Sequence, residues 1–473
     1  MSNQNKIRFD NSYARLPDAF HAKLSPEPVA EPSWLAWNGE LARGLGLDGW
    51  GQDDATLAVL SGNEIAEGSE PLAAAYAGQQ FGNWSPQLGD GRAHLLGEVI
   101  ANDGLRYDVQ LKGSGPTPFS RGGDGRAWLG PVLREYLVSE FMAACGVPTT
   151  RALAAIATGE RVLREAVFPG AVLTRIARSH LRVGTAQFFS IRKDTDNLRL
   201  LVDYTIGRLY PDLAEHANKP LALLERVVDR QAGLIAKWMG LGFIHGVMNT
   251  DNVALSGETI DYGPCAFMDE FKNDKVFSSI DHGGRYAYGG QPHVGHWNMV
   301  QFAQSLLPLI DDDEDRAVEL AQGVVNDFPK IYARHHKTIA NAKLGLVVDR
   351  EEGPQLPADM LTAMQTAGSD FTNSFVALEE QRFDQLPAGD WQADLRDVWE
   401  RQGGPEFTRS NPQIIPRNHR IEEAIAAALE GDMAPFETLR LALADPFEVA
   451  PDHQHLTAPP AENEAVLQTF CGT

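Results

Sequence analysis

Residues 243–252, reading Phe-Ile-His-Gly-Val-Met-Asn-Thr-Asp-Asn, lie between a long amphipathic run at 221–239 and the tripeptide Asp261-Tyr262-Gly263. Few folds accommodate that order. The run predicts a helix, residues 240–252 a loop, and the short apolar pieces at 253–255 and 259–260 a small hairpin ending at Asp261. Asn252 and Asp261 are oxygen donors of the kind Mg²⁺ or Mn²⁺ takes when phosphate groups supply its other ligands. Asp251 is the carboxylate in this loop able to accept a proton.

Kinase-like phosphotransferases use the same succession of parts: a His-containing loop that supplies a base and a metal-binding Asn, then an Asp before an aromatic residue and Gly. Where such a loop carries its base, this chain has Val247. Valine cannot take a proton from a hydroxyl, so γ-phosphoryl transfer with that base is excluded. Lys112 ends the apolar run 108–112 and precedes Gly113-Ser114-Gly115, a placement that brings an ammonium group to nucleotide phosphates. Glu135, in the following helical stretch, is a candidate to orient it, with Glu140 as a competitor. Two Gly-rich loops bracket the lysine, at 89–92 (Gly-Asp-Gly-Arg) and at 120–126. Glycines there let backbone N–H groups approach phosphate. Arg175, Arg178 and Arg182 cluster further along as phosphate contacts or, equally, surface ion pairs.

Around these residues the texture predicts strands at 93–100 and 106–112 joined by an Asn102-Asp103-Gly104 turn. A helix is expected at 131–145, with Pro131 in its first turn and Gly146 at its end, and further strands over 151–176. Residues 1–85 look irregular, a segment wrapped on a core with short helices near 33–45 and 71–80. Helical periodicity dominates from 297 to about 445, with the acidic run 311–315 at a helix start, and 451–473 reads as a mobile tail. The expected class is α+β: a kinase-like two-lobed core with an N-terminal wrap and a helical C-terminal extension. Its expected divisions are 1–85, 86–185 (first lobe), 186–300 (second lobe, with loop and metal residues) and 301–473.

A net charge of −23 argues against non-specific binding to nucleic acid or anionic membrane. Cys145, Cys265 and Cys471 form no CxxC pair, which fits a reducing compartment. With no secretory-type apolar region at the N-terminus and no bilayer-length apolar stretch, the expected location is the cytoplasm.

The chain resembles the selenoprotein O family, known in bacteria as YdiU, over nearly its whole length. The likeness is carried by AYAGQQFG near 74–82, QLGDGRA at 87–93, LKGSGPTPFSRGGDGRA at 111–127 and HGVMNTDN at 245–252. It continues with DYGPCAFMDEF at 261–271, GRYAYGGQP at 284–292 and NPQIIPRNH at 411–419. The resemblance implies a pseudokinase that binds ATP reversed relative to ordinary kinases. It implies transfer of AMP to Ser, Thr or Tyr hydroxyls of proteins with release of pyrophosphate, or of UMP from UTP. By motif, Lys112 would contact phosphate and Glu135 pair with it. Gly89, Gly91, Arg92, Asp124, Gly125, Arg175 and Arg182 would line the nucleotide site, Asn252 and Asp261 hold the metal, and Asp251 accept the proton. A redox role for Cys471, also implied, has no evident partner, since Cys265 directly follows the Asp-Tyr-Gly motif. The rival readings are a kinase-like phosphotransferase, which Val247 opposes, and an inactive nucleotide-binding scaffold, which retention of Lys112, Asn252 and Asp261 opposes.

Overall fold

Alternation of apolar and polar residues along the strands puts one set of side chains on each face of a sheet, and both faces here are covered. The computed structural model describes residues 7–347 and 355–470. The strands of its main sheet are β1 (His21–Lys23), β2 (Ser33–Trp37), β3 (Leu72–Gln80), β4 (Asn83–Gly89), β5 (Ala93–Ile100), β6 (Arg106–Lys112), β7 (Ala127–Trp128), β8 (Arg151–Leu163) and β9 (Val167–Ala177). They form one antiparallel sheet in the order β1-β3-β5-β6-β9-β8-β2, with β4 paired to β3 and β7 to β9. One face, carrying Val109, Leu111, Ile156, Val172 and Ile176, packs under α1 (Gly39–Gly44) and α2 (Asp54–Leu60). The other face carries Lys112 and Arg175 toward α3 (Leu129–Ala144). Register explains this split: Gln110 stands opposite Arg175, and both alternate with residues of the apolar face.

The mixed α and β class expected from the sequence is present. Helix α3 is buried nearly all round, between the sheet and helices near the C-terminus. After β9 come α4 (Val183–Ile191), α5 (Thr195–Leu209) and α6 (Lys219–Gly240), the last capped by Asn218 and opened by Pro220. Helices then dominate from Gln291–Ile310 to Ala434–Leu443, and Asp313 caps the helix at the acidic run as expected. No helix among the described residues is long and apolar enough to cross a membrane.

Four local expectations are corrected. Residues 71–80, expected as a helix, form β3. Alanine favours helix locally, but pairing with β1, β4 and β5 overrides propensity. In 33–45 the first five residues are β2, and helix begins only after the Asn38 cap. The hairpin expected at 253–260 does not form, because Ala254 bridges to Arg182 and Thr259 to Thr149 instead of to each other. Part of the tail expected to be mobile is docked: Thr469 is buried, bridges Ser278, and donates its hydroxyl to the Pro264 carbonyl at 2.5 Å. Cys471 lies outside the described residues.

Candidate active site

Lys112, at the end of β6, points toward α3, and its Nζ donates to Glu135 Oε2 at 2.6 Å and to Asp261 Oδ1 at 3.0 Å. Glu135 is therefore the lysine's partner. Its competitor Glu140 is committed elsewhere, accepting from Arg151 and Asn38. Arg175, on β9 beside β6, donates to Glu135 Oε1 through Nε (2.9 Å) and Nη2 (2.7 Å), and Nη2 also reaches Asp261 Oδ1 at 2.7 Å. Arg182, just before α4, donates through Nη1 to Asp261 Oδ2 at 2.7 Å and to the Asp251 carbonyl at 2.6 Å. Three cations thus converge on two carboxylates that the sequence separates by more than a hundred residues.

Burial alone would push both carboxyls toward the neutral form. For Asp261 the charges of Arg175, Lys112 and Arg182 outweigh it and hold the group well below the usual carboxylate range. Glu135 is likewise lowered, by Arg175 and Lys112 against burial. Asp261 also sits at φ +64°, a left-handed conformation that Asp adopts more readily than bulkier residues. That turn, fixed in part by the Gly263 N–H bond to the Asp261 carbonyl, aims its carboxylate back at β6.

The catalytic-type loop is held just as firmly. His245 is buried, its Nε2 2.9 Å from the Ile260 carbonyl. Asn252 donates its amide to the Val247 carbonyl at 3.0 Å, which leaves Oδ1 as its acceptor end. Asp251 accepts from Gln80 Nε2 at 3.2 Å through Oδ2, while its buried Oδ1 has no hydrogen-bond partner among the described residues. Burial raises the Asp251 carboxyl above the ordinary range despite Arg182 and Gln80.

Lys112, Arg175, Arg182, Asp251, Asn252 and Asp261 border one cavity of about 600 Å³ that also takes in both Gly-rich loops, while Glu135 and His245 are not in its lining. Gly89, Gly91, Arg92, Asp124 and Gly125 all line this cavity. At Gly91 a Cβ would come within 2.9 Å of the Phe119 carbonyl, so glycine is what lets the two loops lie together. Asp124 stands apart from the carboxylate centre, paired with Arg164 at 2.9 Å. Arg178 is not in the cavity lining; its backbone N–H meets Glu258 and its guanidinium lies over Tyr107. Seven basic side chains line the cavity against four carboxylates, a local positive excess in a chain of net charge −23. Such a basin fits a polyphosphate.

Among the lining residues not assigned a role from sequence, three lie close to the charged centre. Asp90, inside Gly-Asp-Gly-Arg, is buried and accepts from the Ala74 N–H and Gln110. The tetrapeptide drew attention to its glycines and arginine, and the carboxylate between them is a detectable signal. Tyr76 lies under the Arg182 guanidinium at 4.7 Å, and Gln80 reaches Asp251. Both lie in the stretch read as helix, so nothing local placed them here.

The family model described as protein adenylyltransferase SelO matches residues 3–402. A protein named protein nucleotidyltransferase YdiU from Jannaschia sp. (strain CCS1) is 56% identical over 98% of this chain and 99% of its own length. Proteins of the same name from Ruegeria pomeroyi and Rhizobium rhizogenes are 52% and 51% identical, each over 99% of this chain and over 99% and 97% of their own lengths. With a family model spanning most of its residues and relatives aligned end to end, this chain belongs to the SelO family of protein adenylyltransferases and is an enzyme of the nucleotidyltransferase class.

Proposed function

We propose that the cavity binds ATP and that the enzyme transfers AMP to a Ser, Thr or Tyr hydroxyl of another protein in the cytoplasm, releasing pyrophosphate. The observation that carries this reading is the pairing of Val247 with Asp251 on one loop. The position that would serve γ-phosphoryl transfer holds no base, while the Asp251 carboxylate stands four residues on and lines the same cavity as Asp261 and its three cations. On this reading Asp251 takes the hydroxyl proton as the acceptor oxygen bonds to the α-phosphorus. The bond from that phosphorus to the bridging oxygen breaks, and pyrophosphate departs with the electron pair. Lys112, Arg175 and Arg182 supply positive charge already fixed in place, so little reorganisation is needed as charge develops. The reversed placement of ATP, and the kinase-like two-lobed division at 86–185 and 186–300, belong to the same proposal.

The residue types fit a divalent cation: the Asp261 carboxylate and the Asn252 side-chain amide border one cavity. Asn252 and Asp261 would hold Mg²⁺ or Mn²⁺, which when bound would neutralise phosphate charge. The test is transfer of label to protein from ATP labelled at the α- or the γ-phosphorus, with α-labelled UTP as a third arm. Label entering from the α position, with pyrophosphate released and a nucleotidyl mass shift on a hydroxyl residue, is the expected result. Preference for UTP over ATP would change the transferred group to UMP. Transfer of the γ label would make the protein a kinase, and transfer of none would make it a scaffold.

A further inference from the structure

The β3–β4 hairpin reaches across to the catalytic loop and grips three consecutive residues of it. The Gln79 N–H donates to Thr250 Oγ1 at 2.7 Å, and the Phe81 N–H donates to Asn249 Oδ1 at 2.9 Å. Gln79 lies in β3 and Phe81 in the turn that follows it, at φ +51°, so these bonds form a pair of clamps with Gln80 between them. Gln80 Nε2 donates to Asp251 Oδ2 at 3.2 Å. The clamp is itself braced: Asn249 Oδ1 also accepts from the Tyr286 hydroxyl at 2.6 Å, and the Tyr286 ring packs on Phe81 with centroids 5.1 Å apart.

The hairpin also shapes the seat of the carboxylate. A Cβ at Gly78 would come within 2.6 Å of Asp251 Oδ1, so the carboxylate occupies space that any other residue would fill. On the far side Gly184 allows α4 to approach the Ala77 carbonyl, where a Cβ would be 2.1 Å away. Asp251 is thus confined by backbone on two elements, and among the described residues Gln80 is its one side-chain donor.

We propose that Gln80 is a positioning residue for Asp251, its amide donating to Oδ2 and so fixing the orientation of the whole carboxylate toward the cavity. The inference rests on the reading of Asp251 as proton acceptor. Gln80 acts through Asp251, so its loss lowers turnover and leaves nucleotide affinity in place. A base held within a narrow angular range keeps near-attack geometry, and loosening it costs rate rather than binding.

The experiment compares wild type, Gln80→Ala, Gln80→Glu and Asp251→Asn in the full-length protein, using α-labelled ATP with Mg²⁺ or Mn²⁺ and casein as acceptor. Gln80→Glu keeps length and shape but cannot donate when ionised. Both Gln80 variants are expected to lose roughly tenfold or more in kcat, with the KM for ATP and the thermal midpoint near wild type. Gln80→Glu at the wild-type rate would show that shape, not the hydrogen bond, matters, and would overturn the proposal. A raised KM with unchanged kcat would make Gln80 a nucleotide contact and overturn it equally. Normal Gln80 variants beside an inactive Asp251→Asn remove this proposal alone. An Asp251→Asn protein at the wild-type rate, or a wild type that transfers no label, removes the underlying reading and this inference with it.

Discussion

Arg182 Nη1 lies 2.7 Å from Asp261 Oδ2, and the same nitrogen donates to the Asp251 carbonyl at 2.6 Å. One guanidinium therefore ties the two ends of the loop segment together, while its plane rests over Tyr76 and its Nη2 lies 3.8 Å from Asp90. A single ammonium cannot reproduce that fan of directions.

Arg182→Lys is accordingly expected to keep the charge and lose the geometry. AMP transfer should fall by about a hundredfold, with the protein still folded by circular dichroism. Wild-type turnover in this variant would mean that charge alone is what the position supplies.

Asp261→Asn separates two roles. Asparagine has the size of aspartate and also tolerates a left-handed backbone, so φ +64° is no obstacle to the fold. The charge that holds Lys112, Arg175 and Arg182 is removed, and transfer should drop by about a thousandfold. In EDTA, however, calorimetry should find ATP bound at least as tightly as by wild type, because three cations lose their competing carboxylate. Weaker metal-free binding would indicate that these cations do not meet the phosphates.

Glu258 gives a pH dependence away from the site. Its carboxyl accepts the Arg178 N–H at 3.0 Å and the Ser256 hydroxyl at 2.8 Å, yet burial pushes it from an ordinary 4.5 up to about 7. Between those values the folded protein keeps a proton that the unfolded chain has released. The associated stability is complete below the lower value and is lost as pH rises through the upper one. Denaturant unfolding from pH 4.5 to 8 should show wild type losing on the order of 1–3 kcal/mol relative to Glu258→Gln. Parallel profiles for the two proteins would refute this account.

Local chemistry made much of the site readable without coordinates. Lys112 at a strand end, glycines between charged residues, and His245 to Asn252 followed by Asp261 are each patterns within a few adjacent residues. The strands at 93–100 and 106–112 and the helices around 131–145 and 221–239 were equally legible, because period and punctuation are local properties. The choice of Glu135 over Glu140 was not, since both lie on one helix and only the seating of α3 against β6 and β9 brings one of them to Lys112.

The sequence by itself determined the family, the class of fold, and the set of side chains available for chemistry. Tertiary structure decided which of them meet. Residues 72–80 became a strand because three neighbouring strands offered hydrogen bonds that outweighed the helical preference of alanine. That outcome alone carried Tyr76, Gly78 and Gln80 to Arg182 and Asp251. Thr469 docks on the Pro264 carbonyl for the same reason: a polar tail segment finds partners more than two hundred residues away. Contacts over such separations arise from backbone pairing and burial summed over the whole molecule, which no short stretch of sequence encodes.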